Sequence, residues 1–317
     1  MAAAEEWYMK KTSFRVNWSM DCEATQHSVD DADLGYRGAS GYADILDEHG
    51  LRGTFFIIPG DAASCPEFYR SLPGRDHEVG LHVHPGDEGF FEFAGVMGPD
   101  EQREMIAAAK DRWAQAMGFE PVCICMGYAS ANDYTYGVLE DLGFKYGQVG
   151  LPGRRLIATA SVWEGAPLYI HYANRYNRLL PGDLDFVEVP HTTDPESYMW
   201  GGKHPQDLRV ELVDAKNHWY TVYKDVMRQL KDESLPVRVI RGVTHNTFDY
   251  SDTDDFRCQT LTGMIDGIRR ILADAECELI PATIGMIVEE FRSKAARVDP
   301  KDLLRLDRRG YGGKKTV

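Results

Sequence analysis

Short apolar runs bounded by Gly, Pro and polar residues alternate along the chain with longer segments whose apolar positions recur every three to four residues. The short runs read as strands: SFRVNWSM, TFFIIPG, HEVGLHVHP, PVCICMGY, KYGQVG, SVWEG, DFVEVPHTT and VRVIRGVTH, with ELIPATI completing the set. The periodic segments read as helices at YADILDEHG, PEFYRSL and DYTYGVLEDLG, and over roughly 99–117, 206–231, 258–276 and 284–294. Repeated strand–helix units with short loops imply parallel strands joined by right-handed crossovers. The pattern alone leaves a closed barrel and an open doubly wound sheet both standing.

No internal repeat, low-complexity stretch or Pro/Ser-rich linker divides the 317 residues. That length accommodates one barrel of roughly 250 residues plus insertions. The expected organisation is an N-terminal extension (1–11), one barrel domain (12–296) and a basic tail (297–317), whose end DRRGYGGKKTV reads as disordered.

Charge and composition narrow the function. A formal net charge of −15 opposes binding to a phosphate backbone, so no nucleic-acid partner is expected. No apolar run approaches the roughly 20 residues of a membrane helix. The segment MAAAEEWYMKKTSF lacks the pattern of a secretory signal, so a cytoplasmic location with reduced cysteines is expected. Cys123 and Cys125 form a C-x-C pair, but no second pair completes a zinc site. The absence of G-x-G-x-x-G, of a P-loop and of G-x-S-x-G removes dinucleotide, nucleotide-phosphate and serine-hydrolase readings.

The chemistry concentrates at strand ends. His82 and His84, two residues apart on a strand closed by Pro85, would point their imidazoles the same way. Asp21 ends the first strand, where the C-terminal face of a parallel barrel gathers its active site, and Glu23 shares its face. Two imidazoles and a carboxylate form an open site for a divalent ion, Zn²⁺ being the first choice. The same set also suits Fe(II) in a redox or lyase enzyme. His245, followed by Asn246, ends another β-branched strand and could move a proton near neutral pH.

These residues sit in a chain that resembles the polysaccharide deacetylase (NodB-homology) family over roughly residues 12–292. The resemblance is carried by YADILDEHGLRGTFFIIPGDAASCPEFYRSLPGRDHEVGLHVH, with Thr54, Phe55, Phe56, His77, Glu78, Val79, Gly80 and His82 in register. The run M-D-C-E resembles the first motif of the intracellular peptidoglycan-deacetylase-like, allantoinase-like and cyclic-imide-hydrolase-like branch. The resemblance implies an α/β fold, a distorted (β/α) barrel of about seven to eight parallel strands. It also implies Asp21, His82 and His84 as metal ligands, His245 as the acid for the leaving amine, and Glu23 to orient or deprotonate the water.

Three departures mark the chain. The second histidine's usual place is Gly86, so His84 stands in, with Asp87 in reserve. Met20 replaces an acid before Asp21, and Cys125-Met126-Gly127-Tyr128 lacks the customary arginine. The expected activity is hydrolysis of a non-peptide carbon–nitrogen bond in an N-acylated sugar or a small linear or cyclic amide. A degenerate member that binds such a ligand without turnover is the alternative. Trp18, Tyr128, His191 and Asn246 are the expected substrate contacts, with Phe90, Phe91, Trp200 and Phe248 as further aromatics near the mouth. Homo-oligomerisation through 194–231 is open.

Overall fold

Strand β1 (Ser13–Cys22) organises the sheet of the computed structural model, which describes residues 11–303. Every residue of β1 from Val16 to Cys22 is buried, as expected of a strand covered on both faces. Its two faces differ. Phe14, Val16, Trp18, Met20 and Cys22 enter the main core with Tyr42 and Leu46 of helix α1 (Ala32–Glu48). Asn17, Ser19 and Asp21 alternate with them and face the barrel interior, where Asn17 and Ser19 bond Arg241.

The remaining strands are β2 (Gly53–Ile57), β3 (Glu78–Val83), β4 (Cys123–Met126), β5 (Tyr146–Gln148), β6 (Arg155–Leu156), β7 (Ser161–Val162) and β8 (His171–Tyr172). They continue with β9 (Val187–Glu188), β10 (Thr193–Met199), β11 (His204–Asp207), β12 (Arg238–His245) and β13 (Glu278–Pro281). The main sheet runs β12-β1-β2-β3-β4-β5-β9-β8, with β13 beside the first half of β1. All its strands are parallel except β8, which runs antiparallel to β9. The sheet curls into a half-barrel, the distorted barrel expected from the sequence, and among the described residues no ladder joins β12 to β8. The parallel strands bring the ends of β1, β3, β4 and β12 to one rim.

Helices α2 (Pro59–Ser64), α3 (Pro66–Ser71), α4 (Pro99–Met117), α5 (Thr135–Asp141), α6 (Ala215–Lys231), α7 (Phe256–Asp274) and α8 (Ile284–Lys294) accompany the sheet. Helix α4 matches the expected range, since Pro99 suits a first helical turn and Gly118, at φ 80°, ends the helix left-handed. The expected helix over 206–231 is corrected at its start. Residues 204–207 form β11 in a hairpin with β10, Pro205 being unsuited to a helix interior. The helix begins only where Asp214 caps it by accepting from the Asn217 N–H. The strand expected at SVWEG is likewise displaced, because β7 pairs only with β6, outside the main sheet. The extension 1–11 and the tail 297–317 lie largely outside the described residues.

Gly242 of β12 lies against the Trp18 ring, where an added Cβ would meet ring carbons at 2.4 and 2.5 Å. Gly242→Ala is therefore expected to destabilise the fold by about 1–3 kcal/mol through overpacking at the β1–β12 seam. Urea denaturation reads this directly, and an unchanged midpoint would show that the ring yields without cost.

Candidate active site

At that rim a cavity of about 130 Å³ is lined by Asp21, Glu23, His82, His84, Cys125, Tyr128, Arg154, His191, Arg209 and His245, among others. Its floor follows from strand register. Asp21 stands opposite His245 in the β1–β12 ladder, and the His245 Nε2 lies 4.0 Å from the Asp21 carboxylate. His82 stands opposite Cys125 in the β3–β4 ladder.

Glu23, two residues beyond Asp21, reaches back over the floor. One of its carboxylate oxygens lies 3.2 Å from His82 Nε2 and 2.8 Å from His84 Nε2. The loop carrying it is pinned: Asn246 Oδ1 accepts the Glu23 N–H at 2.7 Å, and Asn246 Nδ2 donates to Asp61 at 2.6 Å. Asp61 in turn accepts the Ala24 and Thr25 N–H groups. Gly127 leaves room for the His84 ring, since a Cβ there would sit 2.9 Å from two of its atoms.

His84 lies between two carboxylates. Its Nδ1 is 2.7 Å from Glu92, which also accepts the Gly86 N–H at 3.0 Å. With the Nδ1 proton committed to Glu92, Nε2 can meet Glu23 only through a second proton or a cation. Burial opposes charge on His84, but Glu23 and Glu92 outweigh it and raise its pKa to about 10. Burial likewise favours neutral Glu23, yet the positive charge of His245 and the bonds from His82 and His84 hold it well below the carboxylate range. A carboxylate behind a histidine that faces a second acid is the arrangement that orients metal-bound imidazoles.

Among the described residues two groups place ligand atoms within 4.8 Å of one another, Glu23/His82/His84 and Asp21/His82/Cys125. The first has the better donors, because burial raises the Cys125 thiol well above its usual range and keeps it neutral. Asp21 Oδ1 and His82 Nδ1 are buried without a hydrogen-bond partner. Such atoms call for an ion, water or substrate. The donor set of imidazole and carboxylate thus fits a divalent cation.

On the far side of Asp21, Glu211 holds His245 through Nδ1 at 2.6 Å. Burial opposes protonation of His245, but Glu211 and Glu23 raise its pKa to about 9. Glu211 comes from a segment that lies along the edge of β12, Val210 and Leu208 bonding to Val243 at 2.9 and 3.1 Å.

The expected substrate contacts divide. Tyr128 lines the cavity from a left-handed turn at φ 58° and packs edge-on against His84. His191 lines it too, its ring 2.5 Å from the Gln148 side-chain nitrogen; burial and the charge of Arg241 keep it neutral. Trp18 and Asn246 are corrected: both are fully buried and neither lines the cavity. Trp18 is on the helix-facing side of β1, and Asn246 spends its side chain fixing the Glu23 loop. Phe90, Phe91, Trp200, Phe248 and Asp87 also lie off the cavity wall. Glu92, Glu211, Arg154 and Arg209 went unrecognised in the sequence, where nothing in their spacing ties them to the histidines.

Residues 28–147 match the polysaccharide deacetylase family. Solved structures with the same fold include two proteins provisionally named polysaccharide deacetylases. The one from Mycobacterium smegmatis has 16% identity and a TM-score of 0.58, with 97% of this chain and 99% of that one covered. The one from Pseudomonas aeruginosa PAO1 has 13% identity and a TM-score of 0.56, with 89% and 91% covered. A third, Puue allantoinase, has 14% identity and a TM-score of 0.56, with 90% and 92% covered. No curated protein sequence matches the chain. The resemblance read from the motifs is borne out over residues 28–147, and the fold is shared with two proteins named as polysaccharide deacetylases and with an allantoinase. No helix of the described residues is long and apolar enough to cross a membrane.

Proposed function

We propose that the chain is a metal-dependent hydrolase of a non-peptide carbon–nitrogen amide bond. The observation that carries this reading is the convergence of Glu23, His82 and His84, with His84 backed by Glu92, beside an Asp21–His245 pair. Glu23, His82 and His84 would hold the ion, so the carboxylate ligand is Glu23 in place of the Asp21 expected from the motif. A divalent ion bound there would supply Lewis acidity, polarising a carbonyl and acidifying water.

The chain's own groups supply the proton transfers. Asp21, with Oδ1 free of hydrogen bonds, takes the proton of the attacking water. His245, protonated near neutrality and held at Nδ1 by Glu211, delivers a proton from Nε2 to the departing nitrogen. The Asn246 side-chain oxygen keeps Glu23 in place by accepting the Glu23 backbone N–H. The cavity of about 130 Å³ between these groups would take a small acyl group or one small ring as the reacting end of the substrate.

The test is elemental analysis of protein purified without added metal, followed by hydrolysis assays on acetylated amino sugars and cyclic imides. Near-stoichiometric divalent metal and release of free amine or acid from one of these classes is the expected result. A protein that takes up no divalent ion on reconstitution would sink the reading. Metal uptake without hydrolysis would favour a member that binds an amide ligand and leaves it intact.

A further inference from the structure

Besides its acidic floor, the cavity has a basic wall made by two arginines. Arg154, which follows β5, is only 5% exposed and lines the cavity. Its Nη1 donates to the Tyr128 carbonyl at 2.8 Å, and its Nε is buried without a partner. Among the described residues it has no carboxylate partner. Arg209 enters the same cavity from the segment beside β12, and its Nε is also buried and unpartnered. Among the described residues it makes one ion pair, to Asp207 at 3.4 Å, and His204, which burial keeps neutral, lies 3.5 Å from the same carboxylate oxygen.

Two guanidiniums therefore line one cavity, and they differ: against burial, Asp207, then Glu211, Asp21 and Glu23, hold Arg209 cationic, while Arg154 is the buried one without a carboxylate partner. Burial, then repulsion from Arg209, lowers the Arg154 pKa to about 10, which still leaves it cationic at neutral pH. A buried cation without a counter-charge is costly, and an anion entering from solvent removes that cost. The planar fork of a guanidinium matches a carboxylate with paired N–H donors.

We infer that Arg154 and Arg209 form an anion subsite, and that the amide taken by this site carries a carboxylate. The inference rests on the hydrolase reading for the word amide, and on the basic wall alone for the anion. It separates this site from one built for a neutral acetylated sugar. It also gives Arg154 a role that its bond to the Tyr128–Ala129 turn, with φ of 58° and 48°, does not exhaust.

Isothermal titration calorimetry on metal-stripped protein tests it, using succinamate and its neutral counterpart succinamide. Stripping the metal ensures that any preference for the carboxylate comes from the protein. Succinamate is expected to bind about tenfold or more tightly than succinamide, the scale of one hydrogen bond to a charged group. In Arg154→Gln, which keeps a donor for the Tyr128 carbonyl and loses the charge, the preference is expected to fall within about twofold. Arg154→Lys, which keeps the charge, should retain part of it. Equal binding of the two probes by the native protein, no binding of either, or a preference that survives in a folded Arg154→Gln overturns the subsite. Arg154-dependent succinamate binding in a protein that takes up no divalent ion would overturn the hydrolase reading and leave the subsite standing. Metal uptake with no preference for succinamate would do the reverse.

Discussion

Glu23→Gln is expected to lower divalent-ion affinity by more than about 100-fold, whereas Asp21→Asn keeps the ion and loses about 10²–10⁴ in kcat. The split follows from geometry. Glu23 brings one oxygen within 3.2 Å of both inward imidazole nitrogens, while the group that joins Asp21 to His82 has a neutral thiol as its third member. Loss of an outer-shell partner costs roughly 10–100-fold in metal affinity, and loss of a charged ligand should exceed it. Glu92→Gln, which weakens the support of His84 without touching the ion, falls in that lower range. Metal content by elemental analysis and affinity by competition with a chelator give the first result, and steady-state kinetics at saturating metal give the second. Metal kept in Glu23→Gln and lost in Asp21→Asn would return the ligand role to Asp21 and the water-activating role to Glu23.

How far this site was legible in the sequence depends on the kind of contact. The rim position of Asp21, His82, His84 and His245 follows from strand ends and i, i+2 parity, both visible in the residues themselves. Parity also separates Trp18 from Asp21, since an even and an odd position of one strand face opposite sides; the expectation of Trp18 as a substrate contact neglected this. The division of labour proposed for Asp21 and Glu23 was not legible. It depends on how the chain turns after β1, and that turn is set by Asn246 and Asp61, distant in sequence.

Glu92 and Glu211 were hidden for another reason. Each arrives on irregular backbone, Glu92 beyond the short helical turn after β3 and Glu211 from a segment that had been read as helix. A carboxylate in a loop has no periodicity to betray its direction. Arg154 and Arg209 share that difficulty, since neither stands where the third motif of the family would carry its arginine. A third, Arg241, lies beneath the floor, where it donates to the Val189 carbonyl and to Gln148, the partner of His191. The interior of this half-barrel is thus held by polar side chains whose pairing only the folded chain defines.

The second large effect expected concerns His245. His245→Ala should reduce kcat by about 10²–10⁴ with metal content unchanged, because His245 joins neither ligand group and, in the proposed mechanism, acts on the departing nitrogen. A general acid matters most when the leaving group is a strong base and least when it departs readily as an anion. The deficit of His245→Ala should therefore be largest for an alkyl amide and shrink for an activated ester of the same acid. A histidine that only maintained the shape of the cavity would depress both substrates alike. Glu211→Gln should follow the same ordering with a smaller loss, since it removes the charge that favours the protonated ring yet leaves an oxygen for Nδ1–H. An equal deficit on amide and ester would transfer the proton-donor role away from His245 and leave it the task of orienting Asp21, 4.0 Å away.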